Sequence, residues 1–151
     1  MTNTLPASIP TNGPPGLHRR IRVVCVDDCP RVLAAWARLL GIQPDMESVA
    51  ILESGSMLPD IFEAGRPDVV VMDLSLSEGN SLPTLQALIT QQPEARVLVY
   101  SGHSGQQVVD RCIAAGAWGF IGKDAEPSIV LDAIRRIARG EAVFPTPPST
   151  T

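Results

Sequence analysis

The chain has no excess of positive charge. Among its 151 residues, 16 are acidic and 12 are basic, which gives a formal net charge of −4. Domains that bind nucleic acid directly need clustered Lys and Arg to displace the counterions of the phosphates. The composition therefore argues against direct nucleic-acid binding by this chain.

Long apolar runs are also missing. No window approaches the roughly 20 consecutive apolar residues that a membrane-spanning helix needs. The N-terminal segment lacks the basic-then-apolar order of a signal peptide. We expect no interaction with a membrane and a cytoplasmic location.

Cysteine is scarce, and the three cysteines are Cys25, Cys29 and Cys112. An odd number in a chain without an export signal argues against a disulfide framework. The spacing of Cys25 and Cys29 could suit a metal pair, but Cys25 falls inside an apolar run and no second Cys/His pair follows. We expect buried structural thiols rather than a zinc site.

Proline is concentrated at the two ends of the chain. Four of the 14 prolines precede Ile21, and three follow Phe144. Such segments favour a flexible, extended chain. We predict a flexible N-terminal tail over 1–20, one globular domain over 21–144, and a C-terminal tail or the start of a linker over 145–151.

Within the predicted domain, two patterns alternate. Short β-branched runs predict strands, and longer stretches with apolar residues at helical spacing predict helices. This alternation is typical of an α/β fold with a parallel sheet, here of the form (βα)5. The runs are nearly all apolar, which indicates strands covered on both faces. The predicted strands are 21–26, 48–52, 68–72, 96–100 and 118–121.

Residues that favour helix ends bound the five predicted helices. The expected boundaries are Pro30 and Gly41 for the first helix, 59–64 with Gly65 as a stop for the second, Leu82 to before Pro93 for the third, a capping box from Ser104 and a stop at Gly116 for the fourth, and a start near Pro127 for the fifth.

Polar side chains follow four of the predicted strands. Asp27 and Asp28 come after the first strand, Asp73 after the third, Ser101 after the fourth and Lys123, the only lysine, after the fifth. Ligands of such sheets bind beyond the carboxyl ends of the strands. Taken singly, the acidic pair could cap a helix, and the other residues could be turn or loop residues. Their common placement at one edge favours a site.

Three carboxylates in one cleft repel one another unless a positive charge is present. Mg²⁺ prefers oxygen ligands and commonly binds one or two carboxylates together with phosphate oxygens. A protonated lysine cannot ligate the metal but can meet a phosphoryl group. The residues at this edge therefore predict a magnesium site, beside which the lysine can contact a phosphoryl group.

The segment 21–144 resembles the receiver domain of bacterial two-component response regulators. The resemblance lies in the acidic pair, in Asp73 at the end of an apolar strand, in Tyr100-Ser101-Gly, and in Lys123 three residues after Phe120. It implies a flavodoxin-like fold with the strand order 2-1-3-4-5. Segments 120–127 and 133–140 are most similar to receivers that precede a helix-turn-helix, LuxR-type output domain.

The resemblance also implies roles for individual residues. Asp73 would accept a phosphoryl group from a phosphohistidine of a sensor histidine kinase or a phosphotransfer protein. Mg²⁺ would be held directly by Asp28 and Asp73, through water by Asp27, and by the backbone carbonyl of Ser75. Lys123 would offset charge on the transferred group.

The phosphorylated state implies a change of surface. Ser101 would move toward the phosphoryl group and Phe120 would rotate into the vacated space. The surface formed by the fourth helix, the fifth strand and the fifth helix would then change, and a homodimer through it is a family-level expectation. The output would be transcription through a domain absent from this chain, so we expect a signalling protein rather than a metabolic enzyme.

Two departures from the family pattern keep an alternative open. Ser77 and Ser81 stand where the family usually has proline and glycine, in the loop after the third strand. A receiver-shaped interaction module that does not cycle phosphate is therefore the second hypothesis. An aspartyl phosphatase of the dehalogenase type is a third, disfavoured because such enzymes favour a second aspartate where this chain has Ser75.

Overall fold

The structure is a computed structural model that describes residues 19–76, 79–80, 82–103 and 105–145. The predicted tails, 1–20 and 145–151, lie almost wholly outside the described residues, and so do Ser77, Ser81 and Ser104. Within the described part of the chain, no helix is long and apolar enough to cross a membrane.

Five parallel strands form one sheet in the order β2-β1-β3-β4-β5, which confirms the fold expected from the sequence. The central strands β1, β3 and β4 are almost completely buried because helices cover both faces of the sheet. The strands are β1 (Ile21–Val26), β2 (Met46–Leu52), β3 (Val69–Asp73), β4 (Val97–Ser101) and β5 (Gly119–Gly122).

Five helices alternate with the strands. One core layer packs α1 and α5 against the sheet, and the other packs α2, α3 and α4 against the opposite face. In each helix, the buried residues form one stripe at helical spacing. The helices are α1 (Pro30–Gly41), α2 (Leu58–Gly65), α3 (Leu82–Gln91), α4 (Gln106–Ala115) and α5 (Pro127–Ala138).

The strand boundaries differ slightly from the prediction. β2 begins two residues earlier than expected, and β3, β4 and β5 are each shifted one residue toward the C-terminus. Asp73 and Ser101 are therefore the last residues of their strands, where Asp73 pairs with Tyr100 and Ser101 with Gly122. Ladder pairing with a neighbouring strand extends the regular backbone through the first polar residue.

The end of α2 was predicted with the wrong residue in the stop position. Gly65 is the last helical residue, and Arg66 takes the left-handed conformation with φ 43°. Gly65 instead allows the Arg22 side chain to lie close to the backbone, because a Cβ at this position would be 2.6 Å from the guanidinium. The Nε of Arg22 donates to the Gly65 carbonyl at 3.0 Å.

The helix ends of α1 and α4 also differ from expectation. Gly41 is the last residue of α1 and Ile42 is its C-cap. The N-cap of α4 is Gly105 and makes no side-chain capping bond. The capping box predicted from Ser104 begins at a residue outside the described part of the chain.

Three small elements were not predicted. A 3-10 turn (Gly55–Met57) precedes α2, and a short antiparallel hairpin joins Ser75–Leu76 to Gly79–Asn80. After α5 the chain returns to the sheet and forms an isolated parallel bridge between Val143 and Gly119. The N–H of Phe120 donates to the Val143 carbonyl at 2.9 Å, so Val143 covers part of the outer edge of β5.

Candidate functional site

The structure brings the five predicted side chains together at one edge of the sheet. Asp27 and Asp28 directly follow β1, Asp73 ends β3, Ser101 ends β4 and Lys123 directly follows β5. All these strands run parallel, so their carboxyl ends meet in one cleft at the same edge of the sheet. Local sequence therefore sets each position, and the strand order brings them into contact.

The acidic cluster consists of Asp27, Asp28 and Asp73. One carboxylate oxygen from each lies within 4.8 Å of the other two. Asp27 is 3% exposed and Asp73 is 4% exposed. Among the described residues, no other group of three Cys, His, Asp or Glu side chains converges in this way. Clustered hard oxygen donors of this kind suit Mg²⁺.

Lys123 links two members of the cluster. Its Nζ lies 3.2 Å from Asp27 Oδ2 and 3.2 Å from Asp73 Oδ2. Burial acts to lower the pKa of Lys123, but the hydrogen bond with Asp73 and the charges of Asp27 and Asp73 outweigh it, so that the pKa is raised. Lys123 is therefore an ammonium, and the three carboxylates retain an excess of negative charge that accommodates a cation.

The two carboxylate oxygens of Asp27 have different hydrogen-bond partners. Oδ1 accepts a hydrogen bond from the backbone N–H of Cys29 at 2.9 Å, and Oδ2 meets Lys123. The first bond fixes the turn from β1 into α1, which begins at Pro30. Cys29 is the N-cap residue of α1 and makes no side-chain capping bond, so the helix-capping explanation of the acidic pair was wrong. Asp27 instead closes a turn before the helix, alongside its place in the cluster.

Ser101 is buried beneath the cleft. Its Oγ accepts a hydrogen bond from the backbone N–H of His103 at 3.0 Å. Its carbonyl accepts from the N–H of Lys123 at 2.8 Å. The hydroxyl therefore fixes the loop after β4, and the backbone fixes the start of the segment that carries the lysine.

Phe120 points into the core rather than to the solvent, with 1% of its surface exposed. It lies opposite Val99 in the β4–β5 ladder. Because side chains alternate along a strand, Ser101 and Val99 share the same face of the sheet, which α4 covers. The two residues expected to change together thus lie on one face, next to the same helix.

Ser75 is in the small hairpin two residues after Asp73, where its backbone pairs with Asn80. The two departures from the family pattern, Ser77 and Ser81, lie outside the described residues. The role expected for the Ser75 carbonyl stays a prediction.

The cysteines do not take part in a cluster within the described residues. Cys25 and Cys112 are buried, as expected, and all three thiols are free. Burial raises the pKa of Cys25 to about 12 and that of Cys112 to about 11. Cys29 is partly exposed, so the expectation of a buried thiol was wrong there because the residue lies in the turn before α1.

One neighbour of the site was missed from the sequence. The sequence pattern assigns no role to Tyr100, yet the Nζ of Lys123 lies 5.6 Å from the centre of its ring. Its position at the end of a strand, beside the predicted site, was the available signal. The contact between Tyr100 and Lys123 depends on the path of the loop after β5, which the sequence does not show.

A family model described as the response regulator receiver domain matches residues 23–135. The chain belongs to this family. Receiver domains act in signalling and are not metabolic enzymes; they bind Mg²⁺ at an acidic pocket. They interact with histidine kinases or phosphotransfer proteins, and they dimerise.

Similar proteins agree with the LuxR-type resemblance. The receiver is 34% identical over 131 residues to the transcriptional activator protein ExaE of Pseudomonas putida. The matched region covers 85% of this chain and 60% of ExaE. It is 32% identical over 123 residues to the nitrate/nitrite response regulator NarP of Escherichia coli, covering 82% of this chain and 57% of NarP. The chain thus spans less than two thirds of the length of these relatives.

A solved structure supports the same assignment. A LuxR-family two-component response regulator from Aurantimonas sp. SI85-9A1 aligns with a TM-score of 0.77 and 27% identity, covering 82% of this receiver and 89% of that chain.

Proposed function

We propose that this receiver domain accepts a phosphoryl group on Asp73 from a phosphohistidine of a sensor histidine kinase or a phosphotransfer protein. The observation that carries the proposal is the convergence of three carboxylates with Lys123. Their oxygens lie within 4.8 Å of one another, and the ammonium lies 3.2 Å from Asp73.

The chemistry is nucleophilic substitution at phosphorus. A carboxylate oxygen of Asp73 attacks the phosphorus, the phosphorus–nitrogen bond breaks, and the imidazole leaves with the bonding electron pair. The product is an acyl phosphate. Such transfer depends mainly on positioning and on offsetting negative charge, and Lys123 is placed to approach an oxygen of the transferred group.

Asp28, Asp73 and the backbone carbonyl of Ser75 are the residues that would hold Mg²⁺ directly, with Asp27 acting through water. Both oxygens of Asp27 already accept hydrogen bonds from the protein, which supports the indirect role. When bound, Mg²⁺ offsets the charge of the phosphoryl oxygens.

The new phosphoryl group would favour one conformation of the cleft. Movement of the Ser101 hydroxyl toward it breaks the bond from the His103 amide and leaves space on the face covered by α4. Phe120 lies on the same face and rotates into that space. The surface of α4, β5 and α5 changes with it, by a shift between two populated states.

The output of the switch is transcription, through a DNA-binding output domain that the receiver controls. Support comes from relatives that regulate transcription, such as the transcriptional activator protein ExaE, of which the chain spans 60%. In this account 21–144 form the receiver, which acts in the cytoplasm, and 145–151 form a C-terminal tail or the start of a linker.

The test is the intact mass after incubation with Mg²⁺ and acetyl phosphate. We expect one added phosphoryl group in the native protein, and none without Mg²⁺ or in Asp73→Asn. Asp110→Asn, which changes an exposed carboxylate on α4, is the matched control and should be phosphorylated normally. Absence of the added mass from the native protein counts against the proposal and favours an interaction module that does not cycle phosphate.

A further inference from the structure

Lys123 has a third neighbour besides the two carboxylates. Its Nζ lies 5.6 Å from the centre of the Tyr100 ring, which is within the range of a cation–π contact. Asp27 and Asp73 attract the ammonium from the side of the cleft. Tyr100 directly precedes Ser101 in β4, so its ring lies on the face of the sheet opposite to the Ser101 side chain. There the ring supplies an apolar surface for the ammonium.

The Tyr100 ring is itself held in place. Trp36 of α1 meets it edge-on, with the ring centroids 5.5 Å apart and an interplanar angle of 78°. Such a T-shaped arrangement is a preferred geometry of aromatic pairs. Trp36 is 6% exposed and packs in the α1–α5 layer of the core. The contact with Trp36 therefore restricts the orientation of the Tyr100 ring.

Lys123 needs such a surface because its own side chain is flexible. A lysine carries its charge on a four-carbon stem with freely rotating donors, and this one is 31% exposed. Charge alone attracts the ammonium toward the acidic cluster but does not define one position. Modification of Asp73 changes one of the two carboxylate partners of Lys123, whereas it leaves the Tyr100 ring chemically unchanged.

We propose that Tyr100 is a positioning residue for phosphoryl transfer, which holds the Lys123 ammonium beside Asp73 through its ring face. The inference rests on the proposed function of Asp73 and assigns a role in that reaction to a residue outside the acidic cluster. The ring is needed and the hydroxyl is not, so phenylalanine should replace tyrosine and an aliphatic residue should not.

The contact itself can be tested without any reaction. Because Lys123 is the only lysine, protein made with ¹³C-labelled lysine gives a single ε-methylene signal. We expect a ring-current shift of its proton resonance relative to the urea-unfolded chain, kept in Tyr100→Phe and lost in Tyr100→Leu. A native resonance equal to that of the unfolded chain overturns the proposal without need of a variant.

The consequence for the reaction is tested with acetyl phosphate and Mg²⁺. We expect Tyr100→Leu to lower the rate at saturating donor about three- to tenfold, the range available to a part-exposed cation–π contact. Tyr100→Phe should restore the native rate, and the Mg²⁺ affinity should stay unchanged in both. Equal rates in the native protein and Tyr100→Leu, or a parallel loss of Mg²⁺ affinity, overturn the positioning role.

The two proposals fail in different ways. A native protein that takes up no phosphoryl group contradicts the proposed function. A native protein that is phosphorylated, beside a Tyr100→Leu variant that reacts equally fast, contradicts only the role of Tyr100.

Discussion

At the level of residues, the main feature of the site is the Lys123 ammonium, which lies between the buried carboxylates of Asp27 and Asp73. Lys123 offsets part of the charge of Asp27 and Asp73, from which it is equally distant at 3.2 Å. Asp28 is the member of the acidic cluster with more exposure and with no ion pair to Lys123. The cluster is therefore asymmetric, with its open side toward Asp28.

This asymmetry predicts unequal effects on metal binding. Asp28→Asn should weaken Mg²⁺ binding about tenfold or more, because it removes a charged oxygen on the open side of the cluster. Calorimetric titration measures the affinity directly. Asp132→Asn, an exposed change on α5, is the control and should bind as the native protein does. Equal affinity of Asp28→Asn and the native protein would contradict this role.

At the level of elements, the outer edge of β5 depends on a close approach of the backbone. A Cβ on Gly119 would lie 2.9 Å from the Val143 carbonyl oxygen and 2.9 Å from Ile137 Cδ1. Val143 also donates its N–H to the Trp118 carbonyl at 3.0 Å. The chain after α5 can reach the sheet edge here because the residue in β5 has no side chain.

Gly119→Ala should lower the free energy of unfolding by about 1–3 kcal/mol, the usual cost of forcing extra volume into a packed site. Gly41→Ala is the matched control, since a Cβ at the end of α1 meets nothing within 4 Å. That control should be neutral or stabilise by up to about 1 kcal/mol. Urea denaturation measures both, and an equal effect of the two changes would contradict the account of the β5 edge.

A second contact joins α5 to the chain before β2. Arg135 Nε donates to Asp45 Oδ2 at 2.7 Å, and its Nη2 donates to Asp45 Oδ1 at 3.1 Å and to Gln43 Oε1 at 3.0 Å. The hydrogen bond from Arg135 holds the pKa of Asp45 below its ordinary value. A lowered folded-state pKa stabilises the fold above the unfolded-state pKa, and this contribution is lost as the pH falls through the folded-state value.

Arg135→Met should therefore destabilise the protein in a pH-dependent way. We expect a loss of up to about 1 kcal/mol near neutral pH, because the pair is largely exposed. The difference from the native protein should shrink at a pH below the folded-state pKa of Asp45. Urea denaturation at the two pH values tests this, and a difference that is the same at both would exclude the ion pair as its cause.

The whole molecule is a receiver whose fold follows closely from its sequence pattern. The five apolar strands and the convergence of Asp27, Asp28, Asp73, Ser101 and Lys123 were predictable because parallel strands place their carboxyl ends together. The hairpin after Asp73, the Val143 bridge and the Tyr100 contact were not. Each depends on where a loop travels in space, and neither apolar periodicity nor helix-end residues encode that path.

At this level we also expect a change of assembly. Exposed isoleucines on α4 and α5, Ile113 at 47% and Ile129 at 53%, can join a dimer surface. Beryllofluoride with Mg²⁺ should shift sedimentation from monomer toward dimer, and Ile113→Asp should prevent the shift.

The control change for that experiment is Ile42→Asp, which replaces the same residue type at a more exposed position (75%) directly after α1. It should dimerise like the native protein. A native protein that stays a monomer at high concentration with beryllofluoride and Mg²⁺ would count against dimerisation through α4, β5 and α5. So would an equal loss of the dimer in both variants.

The central claim is that Asp73 carries the phosphoryl group, and mapping the modified residue tests it most directly. Borohydride reduces an aspartyl phosphate to homoserine, which peptide mass spectrometry locates after treatment with acetyl phosphate and Mg²⁺. The account predicts homoserine at position 73 alone. Homoserine at position 27 or 28, or at no position in a protein whose mass shows the added phosphoryl group, would contradict it.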